Sequence, residues 1–480
     1  MKTPLKPKNR PAGNIVLFAL VFGAIGLVML GGLVTWGTGV IKVNYARSNG
    51  ETAFQIAEAG VNYYRWHLAH AATDYQDGTG QSGPYLHEYR DKDNNLIGYY
   101  SLAITPPPAG STKVIIVATG YTAANPNQKR KIKAQFAIPS LAKYAVVADA
   151  AMRFGAGTNI YGTVHSNNGI RFDGVAYNIV TSAKTSYYDP DHSGGQEFGV
   201  HTHATPIDPL PPAAVPSRPD IFKAGRQFPL PAVDFAGISL NLSDIKSQAQ
   251  ANGVYYASSG TQGYHLVLKS NDTFDIYKVI SLISPPSGCS ASWQAQWGTW
   301  SIGTSPSAQS FLGNFANPAN GLIFIEDNLW IDGQIGAARL TIVSARFPDN
   351  PNTNTSITIN KNLLYSAYDG SSTLGLIAQN NINVGLYSDN ILQIDAAMIA
   401  QNGRVGRFYY NSYCGSNYVR STITINGMIA TRYRYGFAYT DNTGYTNRNI
   451  NYDANLLYNP PPSFPLASSQ YSLISWQEIK

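Results

Sequence analysis

The chain is poor in charge and nearly free of cysteine. Asp, Glu, Lys and Arg make up 13% of its 480 residues against 44% hydrophobic residues, and Cys289 and Cys414 are the only thiols. That balance fits a cytosolic enzyme poorly. With 44 Gly, 28 Pro and 32 Tyr it suits an extracytoplasmic protein of many short strands and turns. Part of the net charge of +6 comes from Lys129, Arg130, Lys131 and Lys133, which read as a solvated strand face. No basic patch is interleaved with base-stacking aromatics, so no nucleic-acid partner is expected. Two cysteines allow one disulfide, Cys289 to Cys414, in an oxidising compartment. No histidine context marks either one as a nucleophile.

The longest stretch without charge is Asn14 to Ile41, NIVLFALVFGAIGLVMLGGLVTWGTGVI. It exceeds the roughly 20 apolar residues that span a bilayer as a helix, and it is longer than the roughly 7–15 residues of a cleaved secretory signal. Lys2, Lys6, Lys8 and Arg10 precede it, which places that end in the cytoplasm and the bulk of the chain across the cytoplasmic membrane. The sequence thus divides into a basic leader (1–13), a transmembrane helix (14–41) and an amphipathic extension (42–72). In the extension Phe54, Ala57, Val61, Tyr64 and Leu68 recur at three- and four-residue spacing. Gly37, Gly39 and Gly50 weaken the helix, and bending is expected there. Leu96–Ile104, Lys113–Tyr121 and Lys131–Ile138 read as three antiparallel strands in a small sheet (73–139) on which the extension packs. Asp91, Asp93 and Asn95 lack the glycine of a calcium loop and read as a hairpin turn.

The leader ending in Gly13, the charge-free span and the segment SNGETAFQIAEAGVNYY, with Ala57-Glu58-Ala59-Gly60, resemble the N-terminal region of PilX-like pilus assembly proteins, relatives of type IV pilins. The resemblance covers about the first 140 residues. It implies a prepilin peptidase that cuts after Gly13 and leaves Asn14 as the mature N-terminus. It also implies pilin-like subunits, pilus assembly machinery and membrane lipid as partners. The chain departs from shaft pilins at Phe18, where those carry a glutamate at the fifth mature position. A carboxylate in a packed helical stalk must be paired, so its absence leaves a minor, tip or assembly-priming role, or simple anchoring, open.

Beyond Pro139 a short pattern repeats: VHSNNGIRF (164–172), FIEDNLWI (324–331), TINKNLLY (358–365), IAQNNINV (377–384), IAQNGRV (399–405) and TINGMIA (424–430). Each is apolar strand, Asn-containing corner, apolar strand. The asparagines Asn362, Asn381, Asn402 and Asn426 are 19 to 24 residues apart, close to one coil of a parallel β-helix. Asn tolerates the left-handed backbone of a sharp corner, and its side chain can hydrogen-bond the adjacent turn. The expected fold is therefore mainly β: a pilin-like helix on a small antiparallel sheet, followed by a right-handed parallel β-helix-like domain with an insertion. First strands occupy 140–201, a Pro-rich linker and inserted subdomain with a helix near Leu240–Ala251 occupy 202–310, coils occupy 311–450, and a Pro-rich strap occupies 451–480. A β-sandwich of the same strands is the alternative.

The most chemical-looking stretch is YYDPDHSGGQEFGVHTHAT. Asp189, Asp191 and Ser193 hold positions one, three and five of a calcium-loop pattern and Glu197 holds position nine, but Val200 stands where the bidentate acid belongs. Calcium is the one cofactor this suggests. His201 and His203 share a strand face as zinc ligands would, without a specified third. A polar loop is the ordinary reading. Catalysis of the kind other β-helix proteins perform on polysaccharides would draw on Asp332, Asp395, Arg404 and Arg407, which are scattered, so no enzyme is expected. Trp293, Trp297, Trp300 and Arg432–Tyr439 could bind a surface glycan or protein, or pack between coils. The expected function is that of a membrane-anchored, surface-displayed minor or tip pilin-like protein, with an adhesin or a polysaccharide-cleaving enzyme as alternatives.

Overall fold

The computed structural model describes residues 15–108, 110–235 and 242–480. Gly13 and Asn14 lie outside them, as does Asn241 ahead of the second helix. The chain forms two units. One comprises the N-terminal region to Thr105, Ile115–Phe136 and Leu473–Lys480; the other comprises Pro106–Val114 and Ala137–Ser472.

The first unit is built on helix α1 (Ile15–His70), a single 56-residue helix that includes Gly37, Gly39 and Gly50. At 1.5 Å per residue it is about 84 Å long. Its N-terminal half exposes apolar side chains on all sides, from Ile15 to Val43, and is long and apolar enough to cross a membrane. The hydroxyls of that half are satisfied internally: Thr35 donates to the Gly31 carbonyl at 2.8 Å and Thr38 to that of Thr35 at 2.9 Å. A polar group facing lipid requires such a partner.

The outer half buries Ala53, Ile56, Ala57, Gly60, Val61, Tyr64 and Leu68 against a five-stranded sheet. The strand order is Tyr85–Arg90, Leu96–Thr105, Val114–Thr122, Asn125–Ala137, Ser472–Ile479. Val114, Ile116 and Ala118 face the core on alternate positions, the period of a half-buried strand. Helix and sheet approach closely at glycines on both sides. A Cβ on Gly60 would lie 2.9 Å from the Tyr100 ring, and one on Gly120 would collide with the Ala53 carbonyl oxygen and the Ala57 amide.

Three strands were expected here and five are found. Tyr85–Arg90 buries only Tyr85 fully, so its sequence lacks a core-facing stripe. Ser472–Ile479 is the other edge strand rather than part of a strap; the Trp476 ring meets the edge of Phe54 at 5.8 Å, and Glu478 pairs with Arg130. Between the first two strands Asp91 accepts the amides of Asp93 (2.9 Å) and Asn95 (2.8 Å), as a turn aspartate does.

The second unit is dominated by one 21-stranded sheet whose pairings are mostly parallel. Its longest ladder runs Val254–Tyr256, Leu322–Ile325, Arg339–Ser344, Thr373–Ala378, Ile391–Ala400, Val419–Thr431, Val146–Ala148, Val164–Ser166, Val180–Ser182, Arg226–Gln227. In register this stacks Ile323, Ile342, Leu376, Met398, Ile429, Val146, Val164 and Val180 in one buried column. A second column holds Leu329, Ile357, Ile382 and Val405. A third holds Leu363, Ile394, Ile425, Ile450, Ile160 and Ala176. All three converge on one core.

The other face of the long ladder, with Phe324, Val343, Ile377, Ile399 and Ala430, is covered by helix α2 (Leu242–Asn252) together with Leu141, Leu456 and Phe464. Both faces are thus buried, which is why these strands read as nearly continuous apolar runs. The ladder does not follow chain order. Val146–Ala148 and the strands after it stack beyond the late strand Val419–Thr431, at the end of the ladder opposite Val254–Tyr256. Gly263–Lys269, Thr273–Val279 and Gln309–Ala316 form an antiparallel meander that joins the parallel sheet through Leu329–Ile335.

The asparagines take the hydrogen-bonding role expected of them but not the left-handed backbone. None of Asn362, Asn381, Asn402 and Asn426 has a positive φ. Side-chain carbonyls accept amides from the next strand level: Asn328 from Ser356 (3.0 Å), Asn362 from Gln393 (2.9 Å), Asn381 from Arg404 (2.8 Å) and Asn390 from Ser421 (3.0 Å). Asn426 lies within a strand, in register with Asp395 and Asn451 and bonded to both at 2.7 Å.

Candidate functional site

The acidic and histidine-rich stretch forms a short hairpin, Ser186–Tyr187 paired with Glu197–Phe198, followed by Val200–His201, which pairs in parallel with Ile170–Phe172. That register aligns His201 with Arg171 and Arg153, and acids meet the two arginines. Asp173 Oδ2 lies 2.8 Å from Arg171 Nε. Asp191 pairs with Arg434 and lies 3.6 Å from Arg153.

The four residues read as a calcium loop take different places. Asp189 is buried at 3.5 Å from His201 Nε2 and 3.7 Å from Arg171. Asp191 is held by arginines, Ser193 is exposed, and Glu197 is buried beside His192 (2.9 Å) and His203 (3.1 Å). Cation-paired Asp191 and solvent-facing Ser193 leave no common oxygen cage, so the hairpin tip is not arranged as a calcium loop.

What the fold does bring together are two overlapping groups, Asp189 with His201 and His203, and His192 with Glu197 and His203. In each, one ligand atom per residue lies within 4.8 Å of the others. Neither group is signalled by regular spacing, because Asp189 and Glu197 reach the histidines only through the hairpin. Asp189 Oδ2, Glu197 Oε2 and His201 Nε2 are buried without a hydrogen-bond partner. Burial pushes the Asp189 carboxyl up, but His201, the Asp191 amide and Arg171 together hold it well below the usual carboxylate range. Burial also holds His203 below its ordinary value, against the opposing pull of Glu197.

The residues raised for polysaccharide chemistry are not brought together. Asp332 pairs with His265 at 2.9 Å. Asp395 is buried and accepts from the Tyr365 amide (2.9 Å) and the Tyr368 hydroxyl (2.7 Å). Arg407 is fully buried among the carbonyls of Gly385, Leu386 and Asn417 and the Ser388 hydroxyl, and Arg404 donates to the Arg407 carbonyl at 3.0 Å.

Cys289 and Cys414 form a disulfide across 125 residues of sequence. It joins the segment carrying Trp297 and Trp300 to a cluster of Leu386, Phe408 and Tyr410. Trp297 Nε1 donates to the Tyr409 carbonyl at 2.8 Å, and Trp300 stacks on Phe408. Trp293 remains 67% exposed with Tyr409 5.8 Å away. A cleft of about 300 Å³ lies alongside, lined by Trp300, Asn328, Arg346 and Asn354.

These features define a mainly β protein carrying one N-terminal helix that is able to cross a membrane. No family model matches the chain, and no curated protein matches it. Among solved structures it is similar to the competence-associated pilin ComZ from Thermus thermophilus, at 13% identity and a TM-score of 0.31, the match covering 90% of this chain and 98% of that one.

Proposed function

We propose that the chain is a non-enzymatic, pilin-like protein of the PilX type, anchored by one span, that displays a parallel β-helix outside the cytoplasmic membrane as a minor or tip component of a type IV pilus-like filament. The observation that carries this reading is α1: a fully apolar half continuous with an outer half that packs through Ala53, Ala57 and Gly60 on its own antiparallel sheet. A helix that only anchored its cargo would not need that second half. The Gly13–Asn14 junction and the Ala57–Gly60 segment support the same reading. The three parallel ladders with stacked aliphatic columns support a β-helix, in which each coil buries its neighbour's face.

Partners on this reading are a prepilin peptidase, other pilin-like subunits with their assembly machinery, and membrane lipid. Mass spectrometry of the mature N-terminus tests it. Cleavage after Gly13 is expected; a chain that keeps Met1, or is cut near residue 40, removes the basis of the reading.

A further inference from the structure

We propose that Asp189, His201 and His203 hold one divalent transition-metal ion of the zinc class, which ties the Ser186–Phe198 hairpin to the parallel strand beside it. The argument starts at His201, which is fully buried. Its Nδ1 faces the Phe198 carbonyl oxygen at 3.3 Å, and a carbonyl can only accept, so Nδ1 carries the hydrogen. Nε2 is then the ring atom left to face the carboxylate, 3.5 Å from Asp189 Oδ2. Neither atom has a hydrogen-bond partner. A buried ring nitrogen and a buried carboxylate oxygen left without partners are unfavourable unless a cation lies between them. Ligand atoms around a tetrahedral zinc with bonds of about 2.0–2.1 Å are about 3.4 Å apart, close to the separation observed.

The surroundings match those of a metal ligand set. Ligating histidines commonly give their other ring nitrogen to a carbonyl or carboxylate. Here Phe198 supplies the carbonyl for His201, and Glu197 Oε1 lies 3.1 Å from His203 Nε2. The free oxygen of Asp189, Oδ1, accepts the Asp191 amide at 3.0 Å. Arg171, the nearby cation at 3.7 Å, is drawn off by Asp173 at 2.8 Å. Two imidazoles and one carboxylate favour zinc or a similar ion over calcium, which takes six to eight oxygens.

The test uses untagged full-length protein in detergent, stripped with a chelator and titrated with Zn²⁺, and separately with Co²⁺ as a spectroscopic reporter. One equivalent of Zn²⁺ per chain, a tetrahedral Co²⁺ absorption band and a rise in Tm on zinc addition are expected. Glu197→Gln should weaken binding roughly 10- to 100-fold, as loss of an outer partner does. His201→Gln and Asp189→Asn should weaken it further and lose the Tm response, while His265→Gln should behave as wild type. Substoichiometric Zn²⁺, an octahedral Co²⁺ spectrum, displacement by Ca²⁺, or full binding by folded His201→Gln would overturn the proposal. Where a variant fails to fold, the wild-type stoichiometry and Co²⁺ spectrum decide alone.

Discussion

His165 shows how a single buried residue sets a condition on the whole parallel sheet. Its side chain lies inside the ladder, with Nδ1 2.9 Å from the Thr181 hydroxyl and the Tyr144 ring 5.6 Å away. Burial holds its pKa below the ordinary value, which is about 6.5. The unfolded chain therefore takes up the proton first on acidification, so this contribution is complete above that value and is lost as pH falls through it. His203 is shifted the same way. The Tm is expected to decline between pH 7.5 and 5.5, and His165→Gln should flatten the slope; an unchanged slope would remove His165 from the account. Arg407 makes a related point without titrating in this range. Its charge is met by main-chain carbonyls and the Ser388 hydroxyl, with no carboxylate partner among the described residues, and no sequence pattern identifies such a cage.

Among the elements, those legible in sequence are the ones whose cause is local. The charge-free run needs only its own composition to read as a membrane-crossing helix, and the stripe from Phe54 to Leu68 needs only its spacing. The apolar segments around Ile323, Ile377 and Ile399 read as strands because they are buried on both faces. Pairing across long stretches of sequence was not legible. Val146 meeting Ile429, and Ser472–Ile479 closing the sheet of the first unit, follow from how the chain returns on itself. The asparagines were visible as a recurrent signal, and their side chains do bond the next level, though without the left-handed backbone. At the candidate metal site the acids stood out by type, while their separation among arginines and histidines depends on the hairpin. The disulfide acts at this scale too. Linking Cys289 to Cys414 restricts a 125-residue separation in the unfolded chain, worth about 2–5 kcal/mol when a native bridge is removed. A Cys289→Ser, Cys414→Ser double variant should lose stability of that order by denaturant unfolding; an unchanged midpoint would show the loop to be held by its aromatic packing alone.

As a whole molecule, the chain combines a helix that is apolar on every side for its first half with a β-rich remainder whose apolar columns are already covered. The helix thus divides into an exposed, apolar N-terminal half long enough to cross a membrane and an outer half packed on its own sheet. If the chain enters a filament, as proposed, Phe18 contributes no carboxylate to its helical stalk, and a sparse position is expected rather than a repeating one along the shaft. The most direct measurement of this account is the distribution of the native chain between sheared surface filaments and the membrane pellet. The account predicts that the chain, beginning at Asn14, co-purifies with the filaments at a small fraction of the major subunit; confinement of all of it to the membrane pellet, in cells that make filaments, would contradict it.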